Sequence, residues 1–179
     1  MHADPLSIRY RISALAILAS LGAAPVSALP GSGWFADARY RYERVDESGF
    51  EENARASTLR TRIGFRAAER IGLVYLVEGS NVVAIGADDY NAGAGATPGQ
   101  SDIPVVADPE DTRLARAWLG WRWDGGLDLR VGRQRIKLED DRFIGNVGWR
   151  QNEQTYDGLT TRYSGDGWDL FYGWIGRVN

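Results

Sequence analysis

The stretch Leu59-Arg60-Thr61-Arg62-Ile63-Gly64-Phe65-Arg66 puts Leu59, Thr61, Ile63 and Phe65 on one parity and Arg60, Arg62 and Arg66 on the other. A β-strand points successive side chains to opposite faces, so this reads as a strand with one apolar and one cationic face. Burying the cationic face in a protein core would force several guanidinium groups to desolvate and pair. A water-filled lumen leaves them solvated at little cost. The pattern therefore asks for water on one side and hydrocarbon on the other, which is the signature of a transmembrane β-barrel.

The same alternation recurs along the chain and predicts seven strands: Phe35 to Val45, Ser57 to Ala67, Gly72 to Val82, Thr112 to Trp123, Leu127 to Ile136, Thr155 to Tyr163 and Trp168 to Arg177. Ala68 to Ile71, Asp124-Gly125-Gly126 and Ser164 to Gly167 are short connections read as having hairpin turn chemistry. Residues 46–56, 83–111 and 137–154 are long ones. Short turns on one side and long loops on the other are how outer-membrane barrels are arranged. Strict alternation points Asp37, Arg39, Arg41 and Glu43 inward from the first strand and Ala38, Tyr40 and Tyr42 outward. It points Arg116, Trp118, Gly120 and Arg122 inward from the fourth, and Asp128, Arg130 and Gln134 inward from the fifth. The third strand is weaker, because Val74 and Leu76 share a parity with Glu78. The fold class is all-β, an antiparallel transmembrane β-barrel, of which seven strands are an incomplete portion.

Residues 1–28 read as a secretory signal peptide. Arg9 and Arg11 supply the positive region, Ile12 to Ala24 the apolar stretch and Val26-Ser27-Ala28 the small-residue cleavage site. The mature chain, 29–179, is then one barrel-forming unit in the bacterial outer membrane. It has no run of eighteen apolar residues, so helical spans are excluded. The net charge of −3 conceals one lysine, Lys137, against twenty arginines, whose planar forks suit carboxylates and phosphates. There is no cysteine and the only histidine is His2. Ser-His-Asp chemistry and histidine-bound or cysteine-bound zinc are thereby excluded from the mature chain. No enzyme activity, catalytic residue, cofactor, metal or nucleic-acid partner is predicted. Glu139-Asp140-Asp141 offers clustered oxygens of the kind calcium takes, but without ordered ligand spacing it reads rather as an exposed acidic loop.

Two loop segments carry further expectations. Asn91 to Gly99 is Gly/Ala-rich and expected to be mobile. Ile103 to Asp111 looks ordered and either folds into the barrel mouth or forms a solvated turn at Asp108-Pro109.

Leu129-Arg130-Val131-Gly132-Arg133-Gln134-Arg135-Ile136, the block from Arg142 to Gln154 and Tyr156-Asp157-Gly158 together resemble the alginate-export family of outer-membrane proteins. Leu59-Arg60-Thr61-Arg62, Asp88-Asp89-Tyr90-Asn91 and Arg39-Tyr40-Arg41-Tyr42-Glu43 add to the resemblance, which spans Trp34 to Asn179. It implies a single antiparallel barrel of about eighteen strands and a pore lined by Arg60, Arg62, Arg116, Arg130 and Arg133. Alternation adds Arg39 and Arg41 to that lining. Inward arginines concentrate anions and oppose cations, unless carboxylates such as Asp37, Glu43, Glu78 or Asp128 neutralise them. Arg142, Asn146, Trp149, Arg150, Gln151 and Asn152 are read as fixing a loop's shape, with a pore constriction as the alternative. Seven strands is an odd number, and the chain stops at Trp174-Ile175-Gly176-Arg177-Val178-Asn179 without a terminal aromatic. The chain is therefore read as the N-terminal part of a larger barrel.

The leading expectation is an outer-membrane channel for anionic or polar solutes, small molecule or polysaccharide. Its partners are outer-membrane lipid and the barrel-assembly machinery. A secreted β-sheet module that binds acidic polysaccharide is the alternative, and a carboxylate hydrolase lacks any positive motif.

Overall fold

The computed structural model describes residues 17–19, 32–68, 71–138 and 144–179. They form one antiparallel sheet in strict chain order: β1 (Ile17–Ala19), β2 (Gly33–Val45), β3 (Ala54–Ala68), β4 (Leu73–Asp89), β5 (Asp111–Arg122), β6 (Leu127–Gln134), β7 (Tyr156–Gly165) and β8 (Trp168–Val178). The sheet is not closed on itself. The predicted strands correspond to β2 through β8. Of the segment read as an export signal, only Ile17–Ala19 is described, pairing along the β2 edge at Ala38, Arg39 and Tyr40. The rest of that segment, and Glu139, Asp140, Asp141 and Arg142, lie outside the described residues.

Most strand bounds differ from expectation by one to three residues and the end of β4 by seven; two of the differences have a plain physical reason. β4 runs on to Asp89 because Val83 and Ala84 keep pairing with Leu59 and Thr58, and Asp88 and Asp89 with Ala56 and Arg55. The weak pattern after Val82 hid this. β6 stops at Gln134 instead of Ile136, because Ile136 leaves the wall and is buried. At the short-turn end, Gly72 and Gly126 have φ of +89° and +85°. A Cβ on either would strike a backbone carbonyl of the next hairpin, Arg122 or Ser164. The hairpin ends join there through Arg122 N to Gly72 O, 2.9 Å, and Ser164 N to Gly126 O, 3.0 Å, so glycine is required at both places.

Residues paired across an antiparallel ladder share a face. One face carries Ile63, Val77, Leu119, Val131, Tyr172 and Trp174, each between 49% and 62% exposed. Near the short turns the same face carries a run of aromatic rings, with Trp34 on Phe65 at 5.3 Å, Phe65 near Tyr75 at 6.3 Å and Trp121 near Trp123 at 6.1 Å. A soluble protein rarely exposes so much contiguous apolar surface. The opposite face carries Arg39, Arg41 and Glu43, then Thr58, Arg60 and Arg62, then Glu78 and Ser80, and farther on Arg116, Arg130 and Thr160. A bulge pairs Glu78 with Arg116 and Gly79 with Leu114. Ala115 is left as the extra residue, and Arg113 and Ala115 stay on the charged face.

That charged face is the inner one, because two long connections fold over it. Tyr90, Ala92 and Val106 of the 90–110 segment pack on Val45, Ala54 and Ala56, the apolar cluster of the chain. The Tyr90 hydroxyl donates to the Asp108 carbonyl at 3.0 Å. Burial, with Glu110, Asp108 and Asp88 nearby, pushes the Tyr90 phenol up to about 12, so it remains a donor at neutral pH. The Gly/Ala-rich Asn91 to Gly99 segment, expected to be mobile, is instead tied down. Asn91 bridges to Gly99 and Val105, and the Ala92 amide donates to Pro98 O at 2.9 Å. Losing the buried hydroxyl in Tyr90→Phe should cost about 1 kcal/mol of stability, read as a lower thermal midpoint with an unchanged fold.

Candidate functional site

Two strands' worth of arginines would repel one another on a bare wall. Here residues 144–155, the connection into β7, supply the compensating groups. The segment lies across the inner face of β2, β3 and β5, and its backbone carbonyls accept from the wall. Arg39 donates to Gly148 O at 2.9 Å and also to Arg150 O, and Arg41 donates to Trp149 O at 2.9 Å. Gln151 is almost wholly buried. Its side chain accepts from Arg39 at 3.0 Å and donates to Thr58 Oγ1 at 2.8 Å, and its backbone amide donates to Asp108 Oδ1 at 2.9 Å. Asn152 donates to Pro109 O at 2.7 Å, which joins the two inward segments.

Glu153 is the electrostatic centre of this arrangement. It accepts from Arg62 at 2.6 Å, pairs with Arg135, and lies 3.5 Å from Arg60. Asn146 donates to its second oxygen at 3.2 Å, and Arg113 donates to its backbone carbonyl at 2.6 Å. Asp37 completes the cluster, bidentate to Arg62 at 2.7 and 3.1 Å. The Glu153 carboxyl lies below its ordinary 4.5: burial would raise it, but Arg135, Arg62 and Arg60 outweigh burial. A carboxylate with a depressed folded value contributes stability that is complete above its unfolded value and lost as pH falls through the folded one. The segment should therefore stay docked at neutral pH and loosen only below about pH 4.5, which limited proteolysis near Arg150 across a pH series checks.

Six of the seven predicted pore-lining arginines face inward, in three groups. Arg39, Arg41, Arg60 and Arg62 face inward but are engaged by the inward segment and by Asp37, Glu43 and Asp108. Arg116 faces inward and donates through Nε and Nη2 to the two carboxylate oxygens of Glu78. Arg130 faces inward and remains 38% exposed at its side chain, held by Asp128 at 3.0 Å and stacked on Trp118 at 4.8 Å.

Arg133 must be corrected. It pairs in register with Ala117 and Asp157, on the outward face with Val131. Its guanidinium holds Asp157 at 2.7 and 2.9 Å and caps the Leu114 carbonyl at 3.0 Å. The β5–β6 ladder ends at Ala117, so Leu114 O has no β6 partner. In an apolar surround that carbonyl needs a donor, and Arg133 supplies it. Odd parity alone places it there.

The loop residues also sort unevenly. Asn146, Gln151 and Asn152 hydrogen-bond to Glu153, Thr58 and Pro109 respectively, and Arg150 lies near Glu43 at 3.7 Å. Trp149 does not anchor by burial: it is 59% exposed, with the Arg150 and Arg41 guanidiniums 4.0 and 5.1 Å from its ring centre. The reading missed Glu153, Asp108, Arg113, Arg135 and Arg162. Arg162 shares the inner face of β7 with Thr160. Arg135 was not legible, because it turns inward only where β6 ends.

No curated protein and no solved structure matches the chain. The family model described as alginate export matches residues 34–174, from the second residue of β2 into β8. With an unclosed antiparallel wall that is apolar outside and charged inside, the chain belongs to the alginate export family of outer-membrane channels.

Proposed function

We propose that this chain forms part of the wall of an outer-membrane channel that passes anionic or polar solutes through an arginine-rich lumen. One observation carries the reading: the sheet exposes a largely apolar face, interrupted by the Arg133–Asp157 ion pair, while its other face holds charged side chains and the folded connections. Lipid suits the first and water the second. Apart from β1 and the 8-residue β6, the strands run from 10 to 17 residues, and about 9–11 suffice to cross tilted. Residues 1–28 act as the export signal on this reading, and the barrel-assembly machinery inserts the strands. A soluble polysaccharide-binding sheet would leave the apolar face in water, so that alternative is weaker.

The inward segment 144–155 narrows the lumen, and the inner-face arginines without a private carboxylate set the field. Arg122 and Arg130 share Asp128, at 3.5 and 3.0 Å. Inner-face cations then raise local anion concentration. The test is the reversal potential of the channel, extracted from outer membranes, in a planar bilayer under a potassium chloride gradient. Anion preference that weakens in Arg122→Gln and Arg130→Gln is the expected result; cation preference would overturn the selectivity claim. The family's name is not carried over as the identity of the solute.

A further inference from the structure

Where the inward segment meets the wall it closes over a small cavity of about 10 Å³, whose charged lining is Arg60, Arg62, Arg113, Arg135, Glu78 and Glu153. We propose that this cavity binds one small monovalent anion, a halide ion, which ties residues 144–155 to the wall. The inference goes beyond the channel reading, because the ion is part of the folded structure whatever solute passes.

Charge is the first argument. Asp37 and Glu153 both lie against Arg60 and Arg62, Glu153 and Glu78 against Arg135, Glu78 against Arg116, and Asp111 against Arg113. Around the cavity, among the described residues, Arg60, Arg62, Arg113, Arg116 and Arg135 therefore face four carboxylates, an excess of one positive charge. The adjoining cluster has no carboxylate to spare, since Arg41 and Arg150 face Glu43 and Asp108. Arginine keeps its proton at neutral pH, and an uncompensated buried charge is strongly destabilising. One monovalent anion restores the balance.

Unmet donors and size are the second argument. Arg60 is 2% exposed, and the Nε groups of Arg60 and Arg113 are buried with no hydrogen-bond partner among the described residues. Arg113 approaches Asp111 only at 3.5 Å. A buried donor without an acceptor is costly, and a halide, being spherical, accepts from several directions at once. Gln151 and Thr155, 1% and 2% exposed, close the cavity from the segment's side. The space is near the least that holds one water, so carboxylates, phosphates and sugar acids are too large for it. Arginines of β3 and β5 line it together with the segment, and a bound anion therefore joins the two.

The experiment follows thermal unfolding of the full channel, purified from outer membranes in detergent, by circular dichroism as sodium gluconate is exchanged for sodium chloride at constant ionic strength. Gluconate is too large for the cavity. The midpoint is expected to rise by a few degrees, with the logarithmic dependence of a single binding site, and bromide should act as chloride does. Ser80, which lines the cavity and is 8% exposed, offers a test of charge. Ser80→Asp supplies an anion from the chain itself, so its midpoint in gluconate should exceed that of Ser80→Asn, the uncharged match in size, and chloride should add nothing to it. In crystals of the unaltered channel grown in bromide, an anomalous peak should stand beside Arg60 and Arg113. Identical midpoints in chloride and gluconate, equal midpoints for the two Ser80 variants, or a cavity that holds only water would each overturn the inference. Neither readout uses conductance, so the channel reading is tested separately.

Discussion

Changing Glu153 to Gln is expected to release the inward segment and cost about 3–5 kcal/mol, the range for removing one partner of a buried ion network. Glu153 balances Arg60, Arg62 and Arg135 at once. Arg60 is 2% exposed, and its Nε has no hydrogen-bond partner among the described residues. An amide in place of the carboxylate leaves those guanidiniums with Asp37 and Glu78 as their nearest anions. The cluster should then open toward water and carry residues 144–155 with it. Two readouts separate release from general unfolding. The folded, heat-modifiable band in SDS persists but converts at a lower temperature, and single-channel conductance rises. Unchanged conductance with an unchanged conversion temperature would contradict the role given to Glu153.

The second large effect concerns the outward face. Leu119→Arg or Val131→Arg should block membrane insertion, since a charge facing lipid near the bilayer midplane costs about 2–4 kcal/mol. Both positions sit in one cross-strand pair and are about half exposed. Trp118→Arg, one residue away and facing inward, should insert normally. Outer-membrane fractionation of the three variants measures this directly. Normal insertion of Leu119→Arg would mean that the apolar face meets something other than lipid.

Alternation made the wall legible from sequence wherever a strand keeps a strict period of two. Arg60 and Arg62 against Leu59 and Ile63, and Arg116 and Trp118 against Ala117 and Leu119, fall on the faces that the sequence implied. Two irregularities escaped it. The bulge at Ala115 keeps Arg113 inward, although its parity is opposite to that of Arg116. The early end of β6 lets Arg135 turn inward, away from Arg133. Arg133 shares the parity of Val131 and so faces outward, against what the family likeness implied. Glu153 lay inside a recognised block but was passed over. No local pattern announces that a loop carboxylate will meet arginines some 91 residues away, because such long-range pairing follows from where the loop folds.

The absence of cysteine from the chain allows the most direct test of the account. Single substitutions Trp118→Cys, Leu119→Cys, Trp121→Cys and Arg122→Cys along β5 would be probed in intact outer membranes with a water-soluble, membrane-impermeant maleimide. The account predicts labelling at 118 and 122 and protection at 119 and 121, the signature of a wall with water on one side and lipid on the other. Equal labelling at all four positions would contradict it, because both faces of the sheet would then stand in water.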